Sequence, residues 1–436
     1  MLARFPIGLG LSAVAFACSI SFPVSSQASD RGSLLILPNI EIKWDAVTGA
    51  VTQDTLITLS NDYPLGTQVN MVFINGDPPT SAVTDISGTV IERAHPGWNR
   101  AGCQINLGGL QTKFWSALTG MPGGCSFHVL DAGSPPGRPD PDSPSTRTLR
   151  GFIYMWAVDT FGREARWNLL RSDVTITNYQ HATAWAYTAQ AYRALVGNHG
   201  DTLPTPGELH LDGVEYEAPP SLLNLSFFGT GATILAPGLI QFVDTELTLM
   251  PVSQDFRQDN DGPITTKAKF SISNMFGTTF SGTVRCVTCW DQKPVSMYGV
   301  PNHFKRSALG TDIGSATIDG LYSTVCGLNS QNAALTGLAT KIIAFTTADA
   351  DQNGVVTTAD FRTMRTCLNS SGPSTDDMGT DCQNLFDMDH DGDIDLRDVG
   401  RFPMASEGNR TYSTLLLGGS GTQSAIIRYD APDVPD

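Results

Sequence analysis

Residues 54–77 read DTLITLSNDYPLGTQVNMVFINGD. Apolar and polar residues alternate in TLITLS and again in QVNMVFI, which is the two-residue period of a half-buried strand, and the NDYPLG between them is dense in turn formers. Working outward, the same signature recurs in SLLILP (33–38), IEIKW (40–44), FIYMWAV (152–158), ARWNLL (165–170) and DVTITNY (173–179). So many short runs predict an immunoglobulin-like sandwich of antiparallel sheets over residues 29–217. The proline-rich stretch 130–149, LDAGSPPGRPDPDSPSTRTL, is expected to be a surface excursion outside the sheets. In 181–196 the alanines favour helix while Trp185 and Tyr187 alternate as in a strand; we read strand.

A polar, proline-punctuated join leads to a second β region at 218–345. KFSISNM (269–275) followed by SGTVRCVTCWD (281–291) echoes the opening stretch, and predicts a second, similar sandwich. DNDG at 259–262 reads as a hairpin turn. Beyond residue 405 apolar alternation returns. The spacing therefore predicts that 346–405 is a module inserted between two strands of the second sandwich, KIIAF (341–345) leading in and SAIIRY (424–429) leading back. The second domain would be completed by 411–430, leaving a tail at 431–436.

The inserted module carries the sharpest chemistry. DADQNGVVTTAD (349–360) and DMDHDGDIDLRD (387–398) both match the twelve-residue calcium loop, in which oxygens come from positions 1, 3, 5, 7, 9 and 12 and Gly at 6 makes the bend. The ligands would be Asp349, Asp351, Asn353, the Val355 carbonyl, Thr357 and Asp360 for one ion. For a second ion they would be Asp387, Asp389, Asp391, the Asp393 carbonyl, Asp395 and Asp398. Holding carboxylates within about 4 Å of one another costs on the order of a few kcal/mol per pair unless a cation intervenes. Thr358 to Leu368 places Phe361, Met364, Arg365 and Leu368 at helical spacing, whereas neither loop has room for a full entering helix.

This loop-then-helix duplication, with Asp at position 12, resembles the dockerin family over about 55 residues; CQNLFDMDHDGDIDLRDVGRF is similar to dockerin second repeats. The resemblance implies a small α-helical, EF-hand-like module ordered by two Ca²⁺ ions. It also implies a cohesin-like partner on a scaffold or cell surface, met through Thr358 and Ala359 in one repeat and Leu396 and Arg397 in the other.

Residues 1–28 read as a secretory signal peptide, with Arg4, an apolar run from Ile7 to Phe22, and Ser26-Gln27-Ala28 as the cleavage site. A secreted or cell-surface location follows as the expectation, with no membrane span in the remainder. The net charge is −16; residues 349–398 contribute twelve Asp against three Arg, a balance of −9, and with no basic stripe a nucleic-acid partner is excluded. An exported setting permits disulfides. Cys103 with Cys125 and Cys367 with Cys382 are the expected local pairs, while Cys326 is expected to pair with Cys286 or Cys289 and leave a buried thiol.

No GxSxG, HExxH or triad signature appears, and the seven His share no ligand spacing. Glu92, Glu164 and Glu217 are available as glycosidase carboxylates, but nothing singles them out. Among the tryptophans, Trp98 in HPGWNR is the best candidate for an exposed sugar platform, with Trp156 and Trp185 expected in cores. The expectation is a secreted, non-catalytic calcium-binding protein of extracellular assembly or adhesion; the competing one is a polysaccharide-degrading enzyme or carbohydrate-binding protein carrying the same module, with a glycan as ligand.

Overall fold

In a computed structural model of the chain, the residues described are 30–141, 143–179, 183–197, 209–230, 241–252, 263–280, 282–298, 302–327, 329–345, 358–368, 382, 386, 394–399 and 410–417. The protein is mainly β, built of antiparallel sheets. The first unit runs β1 (Leu34–Asp45), β2 (Val51–Asn61), β3 (Thr67–Asn75), β4 (Val83–Thr84), β5 (Val90–Glu92), β6 (Arg100–Leu107), β7 (Thr112–Ser116), β8 (Arg138–Asp140), β9 (Ser143–Val158), β10 (Leu170–Asn178), β11 (Thr183–Thr188) and β12 (Gln190–Tyr192). The second runs β13 (Leu222–Phe228), β14 (Gln241–Val252), β15 (Thr265–Asn274), β16 (Thr279–Phe280), β17 (Val284–Thr288), β18 (Asp291–Pro294), a helical turn α1 (Arg306–Leu309), β19 (Ile313–Leu321), β20 (Ala334–Phe345), α2 (Thr358–Cys367) and β21 (Arg410–Leu417).

In the first unit the strands are ordered β11-β10-β2-β1-β9-β3-β6, with β7 beside β2. β1 is the hinge of this arrangement. Its beginning pairs with β12 and its end with β2, while its other edge runs along β9. The curled sheet encloses Leu37, Ile42, Ile57, Phe73, Trp115 and Ile153, so the alternation in 54–77 becomes alternate burial. The 181–196 stretch is strand, as β11 and β12.

The proline-rich segment 130–149 is a correction. Its Arg138–Asp140 pairs with β9, and its Arg138 and Asp140 are buried. The reason is charge rather than hydrophobicity. The Arg138 guanidinium donates to the carbonyls of Pro78 and Pro96 and lies 3.7 Å from Asp77, so the polar side chains that suggest a surface loop are consumed inside.

The second unit packs the sheet β13-β19-β15, with β16 and β17 on β15, against the sheet β18-β14-β20-β21. Leu225, Phe227, Leu249, Phe270, Ile318 and Leu335 from both sheets fill the space between them. The echo between the units does not extend to pairing: β15 and β17 form one ladder, whereas β2 and β3 lie against different strands. A third cluster, with Ile36, Tyr154 and Trp156 on one side and Met250, Val252 and Trp290 on the other, joins the two units.

β21 returns to pair with β20 from Gly337↔Leu417 to Ala344↔Arg410, and Leu417 is buried in the second core. Residues 346–409 therefore leave and re-enter at neighbouring points of one ladder. The returning strand is Arg410–Leu417; Ala425 to Tyr429, the DNDG turn and the 1–28 leader lie outside the described residues.

Candidate functional site

Of the twelve calcium-loop positions, Asp360, Asp395 and Asp398 are described; Asp349, Asp351, Asn353, Val355, Thr357, Asp387, Asp389, Asp391 and Asp393 lie outside the described residues. Asp360 sits in the first turn of α2, where a carboxylate suits the positive end of the helix dipole. Residues 396–399 are helical as well, and Asp398 lies in that turn. The Asp395 amide donates to Asp398 Oδ2 at 2.8 Å, and the Arg397 amide donates to Asp395 Oδ1 at 2.6 Å.

Beneath them Met364, Cys367, Cys382, Phe386 and Ile394 form a small core, with Phe361, Leu368 and Val399 against it. A disulfide between Cys367 and Cys382 ties the end of α2 to the approach of the second loop. Phe386 immediately precedes that loop and Ile394 is its eighth position, and both are buried in this core.

The fit to calcium can be tested on the closing carboxylates. Asp360 is 1 % exposed and Asp398 0 %, whereas an acidic solvated turn would leave position 12 in water. All twelve donors are oxygens, the set a hard cation takes. Among the described residues no group of three or more His, Cys, Asp or Glu side chains is arranged to hold a metal ion.

The carboxylates available for catalysis have other work. Arg147 grips Glu92 bidentately at 2.8 and 2.9 Å, and that hydrogen bonding, reinforced by His95, holds the Glu92 carboxyl at about 2, far below a general acid's range. His95 itself lies between Glu92 Oε1 and Asp131 Oδ2, 2.9 Å from each, and Arg93 stands 2.6 Å from Asp131. Glu217 accepts the Arg193 amide, and Glu164 is buried beside Val158. These three glutamates are engaged with different partners and do not pair with one another. The cluster around His95 instead fastens the 76–100 and 127–140 excursions to the sheet.

Trp98 is a second correction. It is half-buried and packs against the cluster joining the units, with φ 53°, so it is no open platform. Trp156 and Trp185 are in cores. Trp167, one of the seven tryptophans open to such a role but not the preferred one because ARWNLL reads as a strand, sits instead in the loop before β10 and lines two cavities. Cys103–Cys125 and Cys286–Cys326 are the remaining disulfides, and Cys289 is a buried thiol that burial pushes up to about 12, which removes thiolate chemistry from the CVTC motif. No helix among the described residues is long and apolar enough to cross a membrane.

No protein-family model matches this chain, and no curated protein matches it.

Proposed function

We propose that the protein is a secreted or cell-surface, non-catalytic calcium-binding protein. In this reading two immunoglobulin-like sandwiches carry a dockerin-like module, which takes two Ca²⁺ ions and supports assembly with a cohesin-like or other surface partner. The observation that carries it is the burial of Asp360 and Asp398, the closing residues of two independent calcium-loop sequences, each in the first turn of a helical segment. Three disulfides accord with an oxidising compartment.

Calcium would act as a structural ion. With a dissociation constant of about 10 µM and external calcium near 1 mM, binding stabilises the module by roughly 2.7 kcal/mol per site. Because the module enters and leaves beside the β20–β21 ladder, ordering it also restrains the edge strand of the second unit.

Isothermal titration of the chelator-treated protein tests this reading: uptake of two equivalents is expected, and no uptake at millimolar calcium removes it. Capture by a cohesin panel only with calcium separates partner binding from a purely local staple. The alternative of a polysaccharide-degrading enzyme loses support from the Arg147 grip on Glu92, whereas a carbohydrate-binding role does not require that carboxylate.

A further inference from the structure

Two cavities, of about 390 and 450 Å³, share Trp167 as a wall. Both fall within the size range of small-ligand sites. The indole is held in place: its Nε1–H donates to Asn61 Oδ1 at 2.9 Å, and the Tyr63 ring meets it edge-on at 5.1 Å. With its polar handle engaged, Trp167 offers a ligand only apolar ring surface.

The two cavities differ in the polar groups they present. The smaller is lined by Gln68 and Asn106, register partners across β3 and β6, whose side-chain amides make no hydrogen bond among the described residues. The larger is lined by Arg166 and Arg193, both exposed, whose guanidinium groups make neither an ion pair nor a hydrogen bond among the described residues. Their neighbours behave otherwise: Arg93, Arg138, Arg147, Arg150, Arg163 and Arg171 all pair with carboxylates. Glu217, the acid nearest Arg193 in the hydrogen-bond pattern, is turned to that residue's main-chain N–H at 3.1 Å. In a chain of net charge −16, two arginines with no ion pair among the described residues, beside a fixed aromatic pair, have the chemistry to receive an anion.

We propose that the surface around Trp167 binds an acidic saccharide. A sugar ring lies with its C–H face against Trp167 and Tyr63, its carboxylate is taken by Arg166 and Arg193, and the hydroxyls of the adjoining residue exchange hydrogen bonds with Gln68 and Asn106. A carboxylate accounts for the arginines, the pyranose face for the aromatic wall, and the neutral amides for a hydroxyl-rich neighbour. The site belongs to the first unit and does not depend on the calcium reading.

The test is calorimetry on the full chain with cellobiouronic acid and cellobiose, which share a ring geometry and differ by the carboxylate, and with benzoate as a non-sugar carboxylate. The acid is expected to bind about tenfold or more tightly than cellobiose, the worth of a charge-assisted hydrogen bond. The Arg166→Gln/Arg193→Gln variant, altered only at exposed unpaired side chains and checked for folding by circular dichroism, should bring the acid down to the cellobiose level and leave cellobiose unchanged. Gln68→Ala/Asn106→Ala should weaken both sugars. No heat with the acid, equal binding of the two sugars, or indifference to the arginine substitutions would overturn the proposal. Benzoate binding as tightly as the acid would overturn its saccharide part, and weaker benzoate binding supports it.

Discussion

The indole Nε1–H of Trp290 in the second unit donates to the main-chain carbonyl of Pro38 in β1, 2.8 Å away and 252 residues apart in sequence. The acceptor is available because β1 shifts register on β9 between Leu37 and Ile40, a bulge at a residue with no N–H to give the ladder. Arg150 lies over the same ring, 5.7 Å from its centroid, and a Cβ at Gly76 would collide with the indole.

Trp290→Ala should therefore cost about 3–5 kcal/mol, as large aromatic truncations in cores do. Trp290→Phe should cost less, roughly 1–3 kcal/mol, chiefly through the orphaned Pro38 carbonyl and lost packing. Denaturant unfolding checks both, and Gly76→Ala should lower the melting temperature because backbone and ring must part.

Acid should loosen the anchorage of the excursions around His95. The Arg147 hydrogen bonds depress the folded Glu92 carboxyl to about 2 from 4.5, so its contribution is present above 4.5 and is lost as pH falls towards 2. Glu92→Gln should flatten that part of the stability profile. Melting temperatures taken across this range would test it; an unchanged slope would sink the assignment.

Calcium should raise the melting transition of the module, and Asp360→Asn or Asp398→Asn should each remove one equivalent of uptake. Because each residue closes a loop from a buried position, the loss is expected to exceed that from a surface carboxylate by about tenfold or more in affinity. Titration calorimetry reads stoichiometry and affinity together.

Replacing Cys367 and Cys382 by Ala opens a loop of sequence separation 15 and should destabilise the module by about 3 kcal/mol. Limited proteolysis between α2 and the second loop should become faster. Cys289, buried with its thiol pushed up to about 12, should resist alkylation in the native protein and react only on unfolding.

Strand alternation is a local property, written by side chains two apart, so β2, β3, β9, β10 and the helical start of α2 are legible in the sequence. So were the cysteine pairs, because short separations restrict the choice. The proline-rich segment reads as a surface loop in sequence because its buried strand is recruited by ion pairs, and a charge satisfied by a distant carboxylate looks the same in sequence as one satisfied by water. That Trp98 is covered while Trp167 lines a cavity has a like cause: exposure is set by what the rest of the chain lays over a residue.

The amino-acid sequence alone thus determined the antiparallel β character, the disulfide partners within short range and the acidic periodicity of the two candidate metal loops, since each depends on spacing along the chain. Tertiary structure alone decided that Trp290 clasps Pro38, that Arg410–Leu417 is the strand returning to β20, and that two arginines without an ion pair among the described residues line one cavity with Trp167. Those contacts join residues far apart in the chain, and their geometry comes from sheet curvature and packing, which no local pattern encodes.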